Sequence, residues 1–279
     1  QKPVVLMPNP FYQVYLGATV IAGAEPVLVA ADRQAGFLPD FSALPEATLA
    51  RTAMAYYCSP ANPQGAVAPM ESMARLVELA RKYDFLLVSD ECYSELYYGA
   101  APTGAAEACA ALGESGAVSM RNVAVMNSLS KRSSAPGLRS GFVAGDPELI
   151  RRFARLRDYG GAPPPLPLLA AASALWSDEE HVIANRTIYA AKYEAAAQIL
   201  GGKYGYYAPE GGFYLWLDVG DGEAAARRLW AEAGVRVIPG EYLAREANGH
   251  HPGAGYIRLA LVHDLETTRA ALTRITDVL

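Results

Sequence analysis

Six short apolar runs, separated by turns and helix patterns, occupy the first 145 of the 279 residues and limit the folds open to this chain. The runs are VVLM (4–7), PVLVA (26–30), AMAYYC (53–58), FLLVSD (85–90), VAVMNS (123–128) and RSGFVAG (139–145). Most of them are continuous rather than alternating, which is typical of strands that are covered on both faces. A helix pattern over 70–83 separates the third run from the fourth. Short strands that alternate with helices predict βαβ units and a largely parallel sheet.

The second half of the chain mixes helix and strand patterns in another way. Residues 147–159 predict a helix that begins at Pro147, and the breaker GGAPPPLP (160–167) follows it. Beyond the breaker the sequence predicts a long helix at about 178–199, a strand-turn-strand segment at 204–219, a short helix at 222–234, two strands and a closing helix that begins near Asp264 or Thr267. We therefore expect an α/β protein: a three-layer α/β/α large domain with a mostly parallel sheet at 1–160, and a smaller α+β domain at 161–279.

Composition and charge narrow the functional classes. The net charge is −5, so the charge balance gives no reason to expect nucleic acid or an anionic membrane as a partner. No apolar run approaches the ~18–20 residues that a membrane span needs. The three cysteines are odd in number and show no CxxC spacing, which favours free thiols in a reducing cytoplasm. The four histidines show no metal-ligand spacing, so we expect no metal site.

The strongest single segment is NSLSKRSSAPGLRSGF, in which Lys131 follows an apolar strand and Arg139 lies eight residues further on. A lysine that carries a cofactor as a Schiff base must be held at the reactive carbon of a ring, and a cofactor phosphate needs hydroxyl and guanidinium donors nearby. Ser128 and Arg139 can supply those donors. The alternative is a surface lysine and arginine in a serine-rich loop.

A second segment, SDECYSEL, places Asp90 and Tyr93 at the end of a strand that is otherwise too apolar to need a carboxylate. The pair suits the binding of a pyridine ring, because Asp90 would keep the ring nitrogen protonated and Tyr93 would hydrogen-bond the ring hydroxyl. The alternative is an N-cap aspartate followed by a packed tyrosine. In parallel sheets, ligands bind beyond the carboxyl ends of the strands, which is where both segments lie.

Three shorter segments add candidate residues. In SPANPQG, Asn62 could be a second donor to the ring hydroxyl, although a plain loop is the default interpretation. In PNPFYQVY, Tyr12 or Phe11 could stack on a ring, although packing into the core is the commoner fate of such aromatic residues. GYIRLAL centres Arg258 in an apolar strand. A buried guanidinium needs an anionic partner such as a substrate carboxylate, whereas on an edge strand it would point to solvent.

These five segments, in this order, make the chain similar to the class I/II aminotransferases of fold type I from Pro8 to the C-terminus. The resemblance implies a pyridoxal 5′-phosphate-dependent enzyme with Lys131, Asp90 and Tyr93 as its catalytic residues. The cofactor-binding residues that it implies are Tyr12, Asn62, Asp90, Tyr93, Ser128, Lys131 and Arg139. Arg258 would bind the substrate carboxylate. Amino-acid and 2-oxo-acid substrates, a homodimer and a cytoplasmic location are further implications.

Within that family the chain most resembles the bacterial N-succinyl-diaminopimelate aminotransferases of lysine biosynthesis, on the segments SLSKRSSAPGLRSGFVAGD, WSDEEHVIANRTIYAAKY and YLAREANGHHPGAGYIRLALV. This implies transamination of N-succinyl-LL-2,6-diaminopimelate with 2-oxoglutarate. An aspartate- or alanine-type aminotransferase and a β-lyase would use the same residues and remain open, as does a non-catalytic sensor domain of a transcription regulator. A serine acyl-transferase is disfavoured because the S-x-x-K at 128–131 lacks the companion S-D-N and K-T-G motifs.

Two features depart from the family pattern. The chain begins at Gln1 and runs directly into an apolar strand, whereas the family has a preceding stretch with a helix N-terminus that binds the cofactor phosphate. That stretch also reaches into the partner subunit's site. We therefore expect that an N-terminal part is missing. The second departure is GGAPPPLP, which stands where relatives keep a polar residue at a helix start.

Overall fold

A computed structural model describes residues 1–113 and 118–279. Its strands are β1 (Val4–Asn9), β2 (Glu25–Ala30), β3 (Thr52–Cys58), β4 (Leu86–Asp90), β5 (Val123–Ser128), β6 (Gly141–Gly145), β7 (Tyr214–Asp218), β8 (Ile238–Pro239) and β9 (Tyr256–Ala260). Its α-helices are α1 (Gln13–Ile21), α2 (Glu46–Leu49), α3 (Met70–Tyr83), α4 (Ala105–Ala111), α5 (Leu129–Arg132), α6 (Pro147–Gly160), α7 (Leu166–Ser177), α8 (Glu180–Leu200), α9 (Gly222–Ala233) and α10 (Leu265–Val278).

The first sheet contains all six predicted runs, in the order β2-β1-β3-β4-β5-β6. Neighbouring strands from β2 to β5 pair in parallel, and β6 pairs antiparallel with β5 at the edge of the sheet. The mostly parallel sheet expected from the sequence is therefore confirmed.

Helices cover both faces of this sheet. Successive side chains of a strand point to opposite faces. Val4 and Leu6 of β1 accordingly pack in one cluster with α3 and α4, while Val5 and Met7 pack in another with Tyr15 of α1. The result is the three-layer α/β/α architecture that the sequence predicts.

Helix α3 shows how the local sequence sets that packing. Its buried residues Met73, Leu76, Val77 and Ala80 recur at the spacing of one helix face. Asp84, directly after the helix, has a left-handed backbone conformation with φ of 54°, which ends it. The helix has the bounds that its pattern predicts.

The second sheet is small and antiparallel, with the order β7-β9-β8. Helices α8, α9 and α10 cover it through a cluster that includes Leu200, Leu229 and Leu272. The Asp264 side chain caps α10 by accepting a hydrogen bond from the Thr267 backbone N–H at 2.7 Å. This is the smaller α+β unit expected in the second half of the chain. The domain boundary at residue 160 stays a prediction.

The structure differs from the sequence interpretation in two respects. Five helices have no counterpart among the predicted ones, namely α1, α2, α4, α5 and α7. Of these, α1 and α7 are apolar on much of their surface, so neither shows a distinct apolar stripe. The strand-turn-strand segment contributes only β7 to a sheet. In its first half, Tyr204 has a positive φ of 55° and Pro209 has no N–H to donate to a neighbouring strand. None of the helices in the described ranges combines the length and the apolarity that crossing a bilayer requires.

Candidate active site

A cavity of 310 Å³ lies where β1, β3, β4 and β5 reach the same edge of the first sheet. It is lined by all eight of the predicted site residues, namely Tyr12, Asn62, Asp90, Tyr93, Ser128, Lys131, Arg139 and Arg258. The first seven follow or end strands of the first sheet, and Arg258 comes from β9 of the second. The two sheets therefore build the cavity together. Two larger cavities, of 480 and 500 Å³, lie beside the second sheet, and no lysine lines either of them in the described chain.

Lys131 lies in the short helix α5, directly after β5. The Ser128 side chain caps this helix by accepting a hydrogen bond from the Ser130 backbone N–H at 3.1 Å. Burial lowers the pKa of the Lys131 amine below its ordinary value. Cys92 and, to a smaller extent, Asp90 oppose this shift, whereas the positive charges of Arg258 and Arg139 add to it. A larger share of this amine is therefore neutral and able to act as a nucleophile or a base.

Asp90 ends β4, and both of its carboxylate oxygens already accept one hydrogen bond. Oδ1 accepts from the Cys92 backbone N–H at 3.2 Å, and Oδ2 accepts from the Tyr15 hydroxyl. The Tyr15 ring is buried and stacks on Tyr56 with centroids 4.3 Å apart. Burial raises the pKa of Tyr15 well above its ordinary value, and the nearby Cys58 and Asp90 raise it further, so Tyr15 stays protonated and keeps donating. The carboxylate is thus held in one orientation.

The sequence interpretation did not assign a role to Tyr15. The sequence feature that could have identified Tyr15 is its spacing from Tyr12. The two tyrosines are three residues apart at the start of α1, so their side chains lie on one side of that helix. Tyr12 is 43% exposed at the cavity, and its ring meets that of Tyr15 edge-on at 5.6 Å. Tyr12 therefore offers a free aromatic face.

Arg258 is held over the cavity from the second sheet. Its Nη1 donates to Asn62 Oδ1 at 3.0 Å, and its guanidinium carbon lies 4.4 Å from the centroid of the Tyr214 ring. Its Nε is buried and has no hydrogen-bond partner among the described residues. A buried guanidinium N–H without an acceptor is unfavourable, so this group is suited to bind an anion. Strand β9 is the central strand of its sheet. The alternative in which Arg258 lies on an edge strand and points to solvent is therefore wrong.

Tyr93 and Tyr214 form a buried pair beside Arg258. Their hydroxyl oxygens are 3.1 Å apart, so one donates to the other. Burial raises the pKa of Tyr93 well above its ordinary value, and the Tyr214 hydroxyl raises it further, so Tyr93 remains a proton donor. The sequence interpretation did not identify Tyr214, which resembles any aromatic core residue of a strand.

Hydroxyl and guanidinium donors meet at the other end of the cavity. The Ser128 Oγ lies 2.9 Å from the Ser130 Oγ, and the exposed Arg139 has a left-handed backbone conformation with φ of 51°. The Arg139 Nη1 donates to the Pro136 carbonyl at 2.9 Å, which leaves its other N–H groups available. Ser130 is a further lining residue that the sequence interpretation did not name.

Two cysteines also line the cavity. Burial raises the pKa of both Cys58 and Cys92, and the negative charge of Asp90 adds to each shift, so both remain thiols. They pack around Asp90 rather than acting as nucleophiles. The described residues contain no group of three or more His, Cys, Asp and Glu side chains that could hold a metal ion.

Several known proteins resemble this chain in structure or in sequence, and all three described below are aminotransferases. An aminotransferase from Neisseria meningitidis has the same fold, with a TM-score of 0.93 and 42% identity over 99% of this chain and 70% of its own. A probable N-succinyldiaminopimelate aminotransferase from Thermus thermophilus has a TM-score of 0.87 and 27% identity over 100% of this chain and 73% of its own. An LL-diaminopimelate aminotransferase from Desulforudis audaxviator is 31% identical over 98% of this chain and 69% of its own length.

The family model for aminotransferase class I and II matches residues 1–275. The chain therefore belongs to the class I and II aminotransferases and is a pyridoxal-phosphate-dependent aminotransferase. The residues of the cavity fit this cofactor: it offers an amine of lowered pKa, a fixed carboxylate, an exposed aromatic face and a cluster of hydroxyl and guanidinium donors. The cavity also offers the Arg258 guanidinium, which is suited to a substrate anion.

Proposed function

We propose that this enzyme exchanges the amino group of an α-amino acid with the oxo group of a 2-oxo acid, and that Lys131 is the residue to which the cofactor is bound. The observation that supports the assignment most strongly is that Lys131, Asp90 and Arg258, separated by up to 168 residues along the chain, line one cavity. This chemistry requires three ionisable groups. They are an amine to bind the cofactor, a carboxylate to face its ring nitrogen and a guanidinium to bind the substrate carboxylate.

The remaining lining residues have proposed binding roles. Pyridoxal phosphate, when bound, supplies an aldehyde that takes up the amino group and a ring that accepts the electron pair released at the substrate Cα. Asp90 would face the ring nitrogen, and Tyr12 would cover the ring. Asn62 and Tyr93 would donate to the ring hydroxyl. The phosphate would be bound by Ser128 and Arg139, with Ser130 beside them.

Arg258 would orient the substrate through its α-carboxylate. Asn62 already holds one N–H of the guanidinium, so the plane of the group is fixed before the substrate arrives. This is the one side-chain hydrogen bond of Arg258 among the described residues, so its other guanidinium N–H groups remain to donate to the carboxylate. Lys131 Nζ would take the proton from the substrate Cα, and its lowered pKa increases the share of the amine that is in the form that can accept it.

For the substrate, we propose N-succinyl-LL-2,6-diaminopimelate with 2-oxoglutarate as amino acceptor, in lysine biosynthesis. The names of the similar proteins support it, since they include an N-succinyldiaminopimelate and an LL-diaminopimelate aminotransferase. An aspartate- or alanine-type specificity and a β-lyase are the competing proposals. Steady-state rates with these amino acids, with and without 2-oxoglutarate, separate them: a β-lyase releases an oxo acid without an amino acceptor.

A homodimer and a cytoplasmic location belong to the proposal, and light scattering tests the first.

The role of Lys131 is tested by borohydride reduction of the protein with its cofactor, followed by peptide mass spectrometry. We expect the cofactor on the peptide that contains Lys131, and none on the Lys131→Ala protein, which also loses turnover. Lys203→Ala, which removes an exposed lysine that does not line the cavity, serves as the matched control and should behave as wild type. A cofactor adduct on another lysine, or full turnover by Lys131→Ala, would overturn the assignment.

A further inference from the structure

Tyr214 contacts two residues of the site, Arg258 and Tyr93, through different parts of its side chain. Its ring face lies under the Arg258 guanidinium at 4.4 Å, and its hydroxyl oxygen lies 3.1 Å from that of Tyr93. The side chain is 9% exposed, and it lines the same cavity as the eight predicted residues. Each contact is with a residue to which the proposed function gives a role.

The position of Tyr214 follows from the pairing of β7 with β9. Tyr214 pairs with Ala260, and Trp216 pairs with Arg258, so Tyr214 and Arg258 are diagonal neighbours across the two strands. Diagonal neighbours are within reach of each other when one is aromatic and the other is long. The Tyr214 backbone carbonyl also accepts a hydrogen bond from the buried Tyr193 hydroxyl at 2.8 Å, which fixes the start of β7.

The direction of the hydrogen bond between the two tyrosines follows from their proton count. Each hydroxyl has one proton to donate. If Tyr93 donates its proton to the ring hydroxyl of the cofactor, its oxygen is left to accept, and Tyr214 must be the donor. Burial keeps Tyr93 protonated, as its raised pKa indicates. Tyr214 therefore orients the Tyr93 proton towards the cavity.

We propose that Tyr214 is a positioning residue with two separable functions: its hydroxyl orients Tyr93 towards the cofactor, and its ring supports the carboxylate-binding guanidinium of Arg258. The inference rests on the proposed function, because it uses the roles given there to Tyr93 and Arg258. The two functions belong to different atoms, so different substitutions remove them.

Tyr214→Phe removes only the hydroxyl. We expect cofactor affinity, measured by equilibrium dialysis, to fall about threefold to tenfold, because one buried hydrogen bond is lost. The absorbance spectrum of the bound cofactor should shift. The affinity for succinate, a dicarboxylate that cannot react, should stay within about twofold of wild type in calorimetry of the loaded protein, because the ring under Arg258 remains.

Tyr214→Leu removes the hydroxyl and the ring. It should show the same loss of cofactor affinity and, in addition, bind succinate about fivefold more weakly, since the guanidinium loses its aromatic support. In a Tyr93→Phe background, Tyr214→Phe should not shift the spectrum further, because the partner of its hydroxyl is already gone. A purely structural role would instead weaken all ligands in both variants. Urea unfolding checks that each variant folds; Phe keeps the contact with Phe213, whose ring centroid lies 4.6 Å away.

Arg258→Ala distinguishes a failure of this inference from a failure of the proposed function. If Arg258→Ala binds succinate as well as wild type does, the carboxylate site itself is wrong. If Arg258→Ala loses succinate but the Phe and Leu variants at Tyr214 bind it equally, or if neither variant shifts the cofactor spectrum, the two-function role of Tyr214 is refuted. The two-function role is supported if Tyr214→Phe weakens only cofactor binding and Tyr214→Leu weakens the binding of both cofactor and succinate.

Discussion

Replacing Arg132 by Met tests whether the helix that carries Lys131 is anchored by its neighbour. Arg132 is 3% exposed. Its Nη1 donates to the Leu175 carbonyl at 2.8 Å, its Nη2 donates to the Glu179 carboxylate, and its guanidinium carbon lies 5.2 Å from the centroid of the Trp176 ring. Arg132 thereby ties α5 to the junction between α7 and α8. Met keeps most of the aliphatic volume and removes all of these polar contacts.

The magnitude follows from those contacts. Loss of this hydrogen bond from a buried guanidinium to the partly buried Leu175 carbonyl destabilises by about 2 kcal/mol, because the bond has a charged donor. Loss of the ion pair with Glu179 adds less than about 1 kcal/mol to this destabilisation, since that carboxylate is 63% exposed and is screened by water. The contact with the Trp176 ring adds about 0.5 kcal/mol. We therefore expect Arg132→Met to lower the free energy of unfolding by about 3 kcal/mol.

The assay is urea unfolding of the protein without cofactor, followed by circular dichroism. Arg152→Met is the matched control, because that side chain is 73% exposed on α6 and its one polar contact among the described residues is with Glu148. The control should leave the urea midpoint unchanged. The slope with urea should be the same in all three proteins, so that a shifted midpoint reports stability. A loss smaller than about 1 kcal/mol in Arg132→Met would refute the argument that this buried guanidinium anchors α5.

Three further substitutions test other parts of the molecule. Tyr15→Phe removes a donor to Asp90 and should weaken cofactor binding about tenfold in equilibrium dialysis, and it should lower the free energy of unfolding by about 1–2 kcal/mol because one hydrogen bond is lost. Gly65→Ala should lower the free energy of unfolding by more than about 2 kcal/mol, because φ is +75° there and the new Cβ would lie 2.5 Å from the Pro209 Cβ. Burial raises the pKa of Glu91 above 4.5, so the folded state holds the proton more tightly and stability falls as pH rises through that raised pKa. Glu91→Gln should therefore flatten the pH profile of the urea midpoint above about pH 4.5; an unchanged profile would contradict this.

The chemistry of the site could be predicted from the sequence because most of it is encoded locally. Asp90 and Ser128 end apolar strands, Lys131 follows one closely, and strands of a parallel sheet that alternate with helices bring their carboxyl ends to one edge. Arg258 was predictable for another reason: a guanidinium in an apolar strand needs an anion. Their assembly in one cavity agrees with both arguments, while the role of each residue stays a proposal.

The residues that sequence reasoning missed depend on distant contacts. Tyr214 meets Tyr93 across 121 positions, and Arg132 meets the Leu175 carbonyl across 43. Neither contact leaves a local pattern, because a tyrosine in a strand and an arginine in a serine-rich loop have ordinary alternatives. Helices α1 and α7 were missed for a different reason. Apolar residues surround much of each helix, so the sequence does not show the apolar period of 3.6 residues that predicts a helix.

The charge of the cavity differs from the charge of the whole chain, and this difference favours its proposed ligands. The chain has a net charge of −5, yet the described part of the chain lines the cavity with three cationic side chains, Lys131, Arg139 and Arg258, against the single carboxylate of Asp90. A phosphate at one end and a substrate carboxylate at the other would compensate this local excess. Burial is the main cause of the lowered pKa of the Lys131 amine, and the two arginines add to it although Cys92 and Asp90 oppose the shift. The cations that attract the ligands are therefore also the groups, together with burial, that prepare the lysine to react with them.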